Sequence, residues 1–206
     1  MIKTITFDFG GVLYSYDEEH LLETLAAGSG IGVEELRKLL DGSRLDRAHF
    51  RGEVKADHLV EILEREIGLK ISRNELAEAY AGAVEPNEEM FELVRELAED
   101  YNIQLYSDTP EILYRRVIKK MPIIDLFSAV TLSFEIGALK DSTEGYLDLI
   151  EKSSHSPDEI VFIDDRKEYV EKASEAGING IQFTEFLKLL NELEGLGVRL
   201  DGRFEL

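Results

Sequence analysis

Acidic, hydroxyl and basic residues stand at or just beyond the ends of four short apolar segments of this sequence. They are Asp8, Ser107, Lys140, Asp164 and Asp165. Together these side chains offer what phosphoryl transfer needs: a carboxylate nucleophile, carboxylates that hold a divalent metal, and donors and a cation for the phosphoryl oxygens. This chemistry requires the apolar segments to bring the five residues together.

The apolar segments have the pattern of strands, because they are short, rich in β-branched residues and bounded by glycine or polar residues. Strands are predicted at residues 2–7, 103–106, 129–132 and 160–163, with a fifth ending near Gln182. Helices are predicted from Glu85-Pro86 through Leu97, after Pro110 and over residues 143–152. The alternation predicts an α/β fold in which helices flank a parallel sheet. Since the carboxyl ends of parallel strands share one edge, the polar residues are expected to converge there.

Residues 16–84 have leucines at helical spacing, and no strand pattern interrupts them. Four turn-like breaks divide this stretch into four or five short helices: Gly28-Ser29-Gly30, Asp41-Gly42-Ser43, Arg51-Gly52 and Lys70-Ile71-Ser72. The sequence therefore predicts a core domain of residues 1–15 and 85–206, with a helical cap domain of residues 16–84 inserted after the first strand.

The composition narrows the possible partners. A formal charge of −20 would repel a nucleic-acid backbone and an anionic membrane, so neither is expected to bind. The absence of cysteine excludes disulfides and thiol catalysis. The first apolar stretch is too short for a secretory signal, and no stretch has membrane-spanning length, which predicts a cytoplasmic protein.

Each candidate residue also has an ordinary explanation. Asp8 alone fits a turn and Ser107 alone fits a helix cap. Lys140 alone fits a solvated surface residue, and Asp164-Asp165 alone fits a helix N-terminus. Their joint occurrence at predicted strand ends favours a site. The histidines have no ligand spacing with one another and are assigned no role; they are His20, His49, His58 and His155.

Four segments of the sequence resemble the motifs of the haloacid dehalogenase superfamily, in the family's order and over nearly the whole chain. The segments are Asp8-Phe9-Gly10-Gly11-Val12-Leu13, Ser107-Asp108-Thr109, Lys140 and Phe162-Ile163-Asp164-Asp165. The resemblance implies a Rossmann-like core, and the helical insertion is similar to one cap class of the family. The tract Phe50-Arg51-Gly52-Glu53 resembles a cap segment of relatives that act on sugar phosphates, which makes Arg51 a candidate for contact with the substrate.

The resemblance implies Mg²⁺-dependent hydrolysis of a small phosphorylated metabolite. Asp8 would attack phosphorus and also bind Mg²⁺, with Asp164, Asp165 and the Gly10 carbonyl as further metal ligands. Lys140 would act in catalysis and bind the phosphoryl group. The remaining phosphate-binding groups would come from Ser107, Asp108 and the backbone at Gly10 and Gly11.

The sequence departs from the family at the second residue after the nucleophile. Most family phosphatases have an aspartate there that protonates the leaving alkoxide, whereas this chain has Gly10. Three readings remain open: substrate or water supplies the proton, the leaving group needs none, or the protein binds phosphate with little catalysis. A metal-independent 2-haloacid dehalogenase is a further alternative, although adjacent Asp164 and Asp165 favour a metal. Smaller departures are Asp141, where proline is frequent, and Tyr169, where an acid or asparagine is frequent.

Overall fold

A five-stranded parallel sheet forms the centre of the computed structural model, which describes residues 1–27, 30–40 and 43–200. Its strands are β1 (Thr4–Phe7), β4 (Asn102–Ser107), β5 (Phe127–Leu132), β6 (Ile160–Asp164) and β7 (Asn179–Gln182). The order across the sheet is β5-β4-β1-β6-β7, and every neighbouring pair is parallel. The predicted α/β fold with a Rossmann-like sheet is confirmed.

Helices cover the sheet and connect its strands. They are α6 (Glu88–Leu97), α7 (Glu111–Arg116), α8 (Ser133–Ile136), α9 (Glu144–Ser153), α10 (Lys167–Glu175) and α11 (Phe186–Gly195), with 3₁₀ turns at Ile118–Lys120, Ile124–Leu126 and Pro157–Glu159. One sheet face buries Tyr106 and Phe162 beneath α9 and α10, while alternate residues such as Phe7 and Leu105 enter the larger apolar core. Because both faces are covered, the strands read as almost continuous apolar segments.

Within the described residues, five further helices lie between β1 and β4 in the order of the chain. They are α1 (Glu18–Ala26), α2 (Val33–Leu40), α3 (Arg44–Phe50), α4 (Ala56–Ile67) and α5 (Arg73–Gly82). The predicted break at Arg51-Gly52 is confirmed by the end of α3, and the break before α5 by a capping box between Ser72 and Glu75. Residues 28–29 and 41–42, within the other two predicted breaks, lie outside the described residues.

A short antiparallel pair, β2 (Tyr14–Tyr16) and β3 (Val84–Pro86), stands where the five helices join the core. The sequence pattern did not predict this pair, because three-residue strands are too short to show alternation. The predicted helix start at Glu85-Pro86 is therefore wrong. Asn87 is the N-cap of α6, and its side chain accepts a hydrogen bond from the Met90 N–H.

The loop after α3 packs closely against α8. Gly52 has a φ of +73°, and a Cβ at this position would lie 2.4 Å from the carbonyl oxygen of Phe134. The Ser133 hydroxyl accepts a hydrogen bond from the Thr109 N–H and donates to the carbonyl of Phe50, at 2.9 and 2.7 Å. Ser133 thereby ties the loop after β4 to the end of α3. Among the described helices, none has both the length and the apolar character to cross a bilayer.

Candidate active site

The Lys140 ammonium lies between two carboxylates at the carboxyl edge of the sheet. Its Nζ is 2.5 Å from Oδ1 of Asp8, which follows β1, and 2.7 Å from Oδ2 of Asp164, the last residue of β6. Lys140 is 1 % exposed, Asp8 is 7 % exposed and Asp164 is fully buried. The structure therefore brings together three of the residues that the sequence placed at strand ends.

Aromatic rings enclose the same ammonium group. Nζ of Lys140 lies 5.3, 5.4 and 5.5 Å from the ring centroids of Tyr106, Phe162 and Tyr169. Burial alone would lower the pKa of Lys140, but the carboxylates of Asp164 and Asp8 outweigh burial and raise the pKa well above its usual value. Lys140 is thus a buried permanent cation rather than a surface lysine.

Three carboxylates of the site lie close enough to share one cation. Asp8, Asp164 and Asp165 each offer an oxygen within 4.8 Å of the others. Burial, together with the charge of Asp164, raises the pKa of both Asp8 and Asp165, although the Lys140 ammonium opposes this at both carboxyls. One ammonium does not neutralise three clustered carboxylates. A divalent cation with oxygen ligands, such as Mg²⁺, fits this donor set.

The Asp164 side chain is tightly held. Its Oδ2 accepts a hydrogen bond from the Lys140 ammonium, and its Oδ1 accepts a hydrogen bond of 2.8 Å from the backbone N–H of Arg166. Asp165, in contrast, is half-buried and lies on the wall of the adjoining cavity. Asp165 is therefore the more accessible of the two acids to a metal in the cavity.

The turn after Asp8 is shaped by Gly11. Its φ of +78° is in the left-handed region, and a Cβ at this position would lie 2.4 Å from the carboxyl carbon of Asp165. The N–H of Gly11 donates to the carbonyl of Tyr14 at 2.7 Å. Gly10 differs, since a Cβ there would have no atom within 4 Å.

The two predicted phosphate-binding residues at the end of β4, Ser107 and Asp108, occupy different positions. Ser107 is 1 % exposed and does not line the cavity. Asp108 does line it, and both of its carboxylate oxygens accept the backbone N–H of Lys140 at 3.1 Å. Burial raises the pKa of Asp108 to about 6. Asp108 therefore joins the loop after β4 to the segment carrying Lys140.

A cavity of about 290 Å³ opens above these groups. We call Asp8, Lys140, Asp164 and Asp165 the floor. We call the side chains around the mouth of the cavity the rim: Tyr16, Phe50, Leu113, Arg166 and Tyr169. This volume is roughly twice the ~150 Å³ known to hold a benzene molecule, so the cavity accommodates a phosphoryl group and a small leaving group.

The sequence matches the haloacid dehalogenase-like hydrolase family over residues 2–177. The chain belongs to this family. Among curated proteins, the hydrolase is 25 % identical to the sesquiterpene phosphatase of Aspergillus oryzae, covering 94 % of this chain and 96 % of that protein. It is 24 % identical to the D-ribitol-5-phosphate phosphatase of Bacteroides thetaiotaomicron, covering 88 % and 92 % of the two chains.

Solved structures of family members have the same fold as this hydrolase. A HAD-like hydrolase of Porphyromonas gingivalis superimposes with a TM-score of 0.82 at 25 % identity, covering 94 % of this chain and 98 % of that one. A HAD family enzyme of Bacteroides thetaiotaomicron, in complex with magnesium and inorganic phosphate, superimposes with a TM-score of 0.80 at 25 % identity, covering 92 % of this chain and 99 % of that one. The L-2-haloacid dehalogenase of Xanthobacter autotrophicus superimposes with a TM-score of 0.65 at 18 % identity, covering 94 % of this chain and 83 % of that one. This likeness shows a shared fold alone.

Arg51 of the hydrolase is not brought to the site. Its Nε is 2.9 Å from a carboxylate oxygen of Glu53, and Arg51 does not line the cavity, whereas the preceding residue Phe50 does. Asp141, noted for replacing a frequent proline, forms a 2.6 Å ion pair with Arg47 of α3 and so connects α3 to the loop carrying Lys140.

Sequence patterns did not predict the rim. Tyr16 comes from β2, Phe50 from α3, Leu113 from α7 and Tyr169 from α10, so no spacing relates them. Tyr169 carried a signal as a departure from the family motif, and Phe50 lay in the tract that resembles a cap segment, where Arg51 was the candidate. The Tyr169 ring contacts Lys140 and lies 4.5 Å from the Arg166 guanidinium, which places it between floor and solvent.

Proposed function

We propose that this hydrolase cleaves small phosphate monoesters with Mg²⁺ as cofactor, through an aspartyl-phosphate on Asp8. The observation that carries the proposal is the buried Lys140 ammonium in contact with Asp8, beside two further carboxylates that fit a divalent cation. The phosphatases among the curated relatives support the same reaction class.

The floor residues have different roles in this proposal. Asp8 attacks phosphorus with one carboxylate oxygen, and Lys140 neutralises charge on Asp8 and on the phosphoryl oxygens. Asp8, Asp165, the Gly10 carbonyl and Asp164 would hold Mg²⁺, with Asp164 also keeping Lys140 in place. The bound cation supplies electrostatic stabilisation of the transferring phosphoryl group.

The residues after β4 place the phosphoryl group. In this proposal, Ser107 donates to a phosphoryl oxygen and becomes accessible when substrate binds. Asp108 orients the backbone at Lys140, because its carboxylate accepts the hydrogen bond from the Lys140 N–H. The backbone at Gly10 contributes further contact with phosphate.

Residues 16–84 act as the cap domain over a core of residues 1–15 and 85–206. The cap supplies Tyr16 and Phe50 to the rim, and the core supplies Leu113, Arg166 and Tyr169. Closing the two parts on substrate would exclude water from the floor, which strengthens the electrostatic interactions there.

The Asp8→Asn variant tests the mechanism. With Mg²⁺ present, we expect this change to lower phosphate release from acetyl phosphate by about 10³-fold or more, because the amide is a poor nucleophile. EDTA should abolish wild-type activity, and added Mg²⁺ should restore it. Asp125→Asn is the control, since Asp125 is exposed and precedes β5 at the opposite edge of the sheet.

Gly10 favours one second candidate, a phosphate-binding protein with little turnover, because the usual proton donor is missing. Calorimetry with Mg²⁺ and inorganic phosphate distinguishes the two. Binding of both without Asp8-dependent turnover of acetyl phosphate would replace the enzyme proposal with this one. Halide release from a 2-haloacid that persists in EDTA would instead identify dehalogenation.

A further inference from the structure

Two independent features of the cavity bear on the leaving group of the substrate. The first is the chemistry of the rim, where Tyr16, Phe50, Leu113 and Tyr169 present three aromatic rings and one aliphatic chain. The remaining rim residue, Arg166, is paired with Glu168 and lies over the Tyr169 ring. Within the described part of the chain, no side-chain amide, imidazole or aliphatic hydroxyl lines this cavity. Such a rim suits a flat, apolar group and offers few partners to the hydroxyls of a polyol.

The second feature is the open space at Gly10. An added Cβ would meet no atom within 4 Å outside its two chain neighbours, so no other side chain packs against this position. The other cavity acids have different surroundings: Asp108 accepts the Lys140 N–H with both oxygens, and Asp165, which the proposed function assigns to Mg²⁺, lies beside Gly11. The arrangement therefore favours a leaving group that departs without receiving a proton.

These two features favour the same chemical class. A phenol has a pKa of about 10, like the tyrosine side chain. A simple alkanol resembles water, which is a far weaker acid than a phenol. A phenolate consequently leaves as an anion far more readily than an alkoxide, and its ring is flat and apolar.

We propose that the substrate of this hydrolase is an aryl phosphate, whose ring packs against Phe50, Tyr16 and Tyr169 and whose phenolate oxygen leaves unprotonated past Gly10. This inference rests on the proposed function, since it uses Asp8 as the nucleophile.

The bonds and protons balance as follows. A carboxylate oxygen of Asp8 bonds to phosphorus while the bond from phosphorus to the aryl oxygen breaks, and that electron pair leaves on the phenolate. Water then attacks phosphorus, the bond to Asp8 breaks, and Asp8 regains its carboxylate. The proton that water releases neutralises the phenolate in solution, so the products are a phenol and hydrogen phosphate.

Gly10 also leaves the second step without its usual base. Hydrolysis of the aspartyl-phosphate is therefore expected to be slow and common to all substrates. Rapid mixing with excess phenyl phosphate should show a burst of phenol close to the enzyme concentration, followed by a slower steady rate.

The decisive experiment compares kcat/KM for phenyl phosphate and benzyl phosphate, which share a phenyl ring but differ in leaving-group acidity. We expect wild type to favour phenyl phosphate by about 10²-fold or more, the lower value of a missing general acid. Gly10→Asp should raise the ratio of kcat/KM for benzyl phosphate over phenyl phosphate by about the same factor. Gly10→Asn has nearly the same shape without a proton to donate, and it should give no such gain.

Acetyl phosphate, which has a good leaving group and no ring, separates the two levels of the proposal. If acetyl phosphate is hydrolysed with dependence on Asp8 and phenyl phosphate is not, the aryl assignment is wrong and the phosphatase stands. If neither is hydrolysed, the proposed function itself is wrong. If wild type cleaves benzyl phosphate within tenfold of phenyl phosphate and Asp108→Asn abolishes only the benzyl reaction, Asp108 is the acid and the inference fails.

The rim is tested by Phe50→Ala. Loss of one ring contact should lower the ratio of kcat/KM for phenyl phosphate over acetyl phosphate by about tenfold. Leu147→Ala removes an exposed apolar side chain on α9 that does not line the cavity, and it should leave the ratio at the wild-type value. An unchanged ratio in Phe50→Ala would show that the ring of the substrate does not pack on the rim.

Discussion

The floor and the rim of the cavity are built in opposite ways. Floor residues Asp8, Lys140 and Asp164 are buried and bonded to one another, whereas rim residues such as Tyr16 and Phe50 come from separate elements and are partly open to solvent. A buried charge is costly unless each neighbour satisfies it, so the floor residues depend on one another. Tyr16, Phe50 and Leu113 of the rim carry no charge, so changes at these three side chains can alter the selection of the leaving group with little effect on the floor.

Replacing the floor cation is expected to have the largest effect on stability. Lys140→Met leaves Asp8 and Asp164 buried without a counter-charge, and it should lower the free energy of unfolding by about 3–5 kcal/mol. Urea unfolding measures this. Adding Asp164→Asn should recover part of the loss, because the amide still accepts the Arg166 N–H without a charge.

Lys172→Met is the matched control, since Lys172 pairs with Glu175 on an exposed face of α10. It should change the free energy of unfolding by about 0–1 kcal/mol. Equal effects of the two lysine substitutions would contradict the contrast between a mutually dependent floor and independent surface charges.

The turn that joins floor and rim provides a second contrast between adjacent glycines. Gly11→Ala places a side chain at a positive φ and against the Asp165 carboxylate, so it should destabilise by roughly 2–3 kcal/mol and impair Mg²⁺ binding. Gly10→Ala enters open space and should stay within about 0.5 kcal/mol of wild type. Thermal unfolding and Mg²⁺ titration of both variants test the pair. If Gly11→Ala is tolerated, the close approach of Asp165 to Gly11 is not required for stability or for Mg²⁺ binding.

A smaller effect is expected where the rim is attached to the core. Ser133→Ala leaves the buried Thr109 N–H without its acceptor and the Phe50 carbonyl without its donor, a loss of roughly 1–2 kcal/mol. Because Phe50 moves with this contact, KM for phenyl phosphate should rise more than kcat falls. A fall in kcat alone would place Ser133 with the floor instead.

The smallest effect is expected behind the rim, at His49. Burial lowers the pKa of His49, whose Nδ1–H donates to the carbonyl of Val54 at 2.7 Å. The imidazole therefore takes up its second proton more readily in the unfolded chain than in the folded protein. The free energy of unfolding has its full value above the unfolded pKa of about 6.5 and declines as pH falls below it.

His49→Gln should weaken that decline by less than about 1.4 kcal/mol per pH unit. The measurement is the free energy of unfolding in urea at pH 7.5, 6.5 and 5.5. His58→Gln alters an exposed histidine on α4 and is the control. Identical pH dependence of wild type and His49→Gln would show that His49 does not remain neutral in the folded protein.

Local patterns were sufficient to place the acidic residues of the floor at the ends of strands. Asp8 and Asp164 were found because apolar alternation ends abruptly at them, and the order of helices and strands implied a common sheet edge. The same local signals located the break at Lys70-Ile71-Ser72 that precedes α5. They did not find β2 and β3, whose three-residue pairing depends on a partner about seventy residues away.

The sequence by itself determined the kind of fold, the residues at the strand ends and the absence of an acid at Gly10, because these depend on local periodicity and residue type. Only the tertiary structure decided that Lys140 is enclosed by aromatic rings, that Asp165 lies against Gly11, and that Phe50 rather than Arg51 faces the cavity. The physical reason is that the rim joins side chains from distant elements. Their meeting depends on how the helices of residues 18–82 pack on the core, and no short-range pattern records that packing.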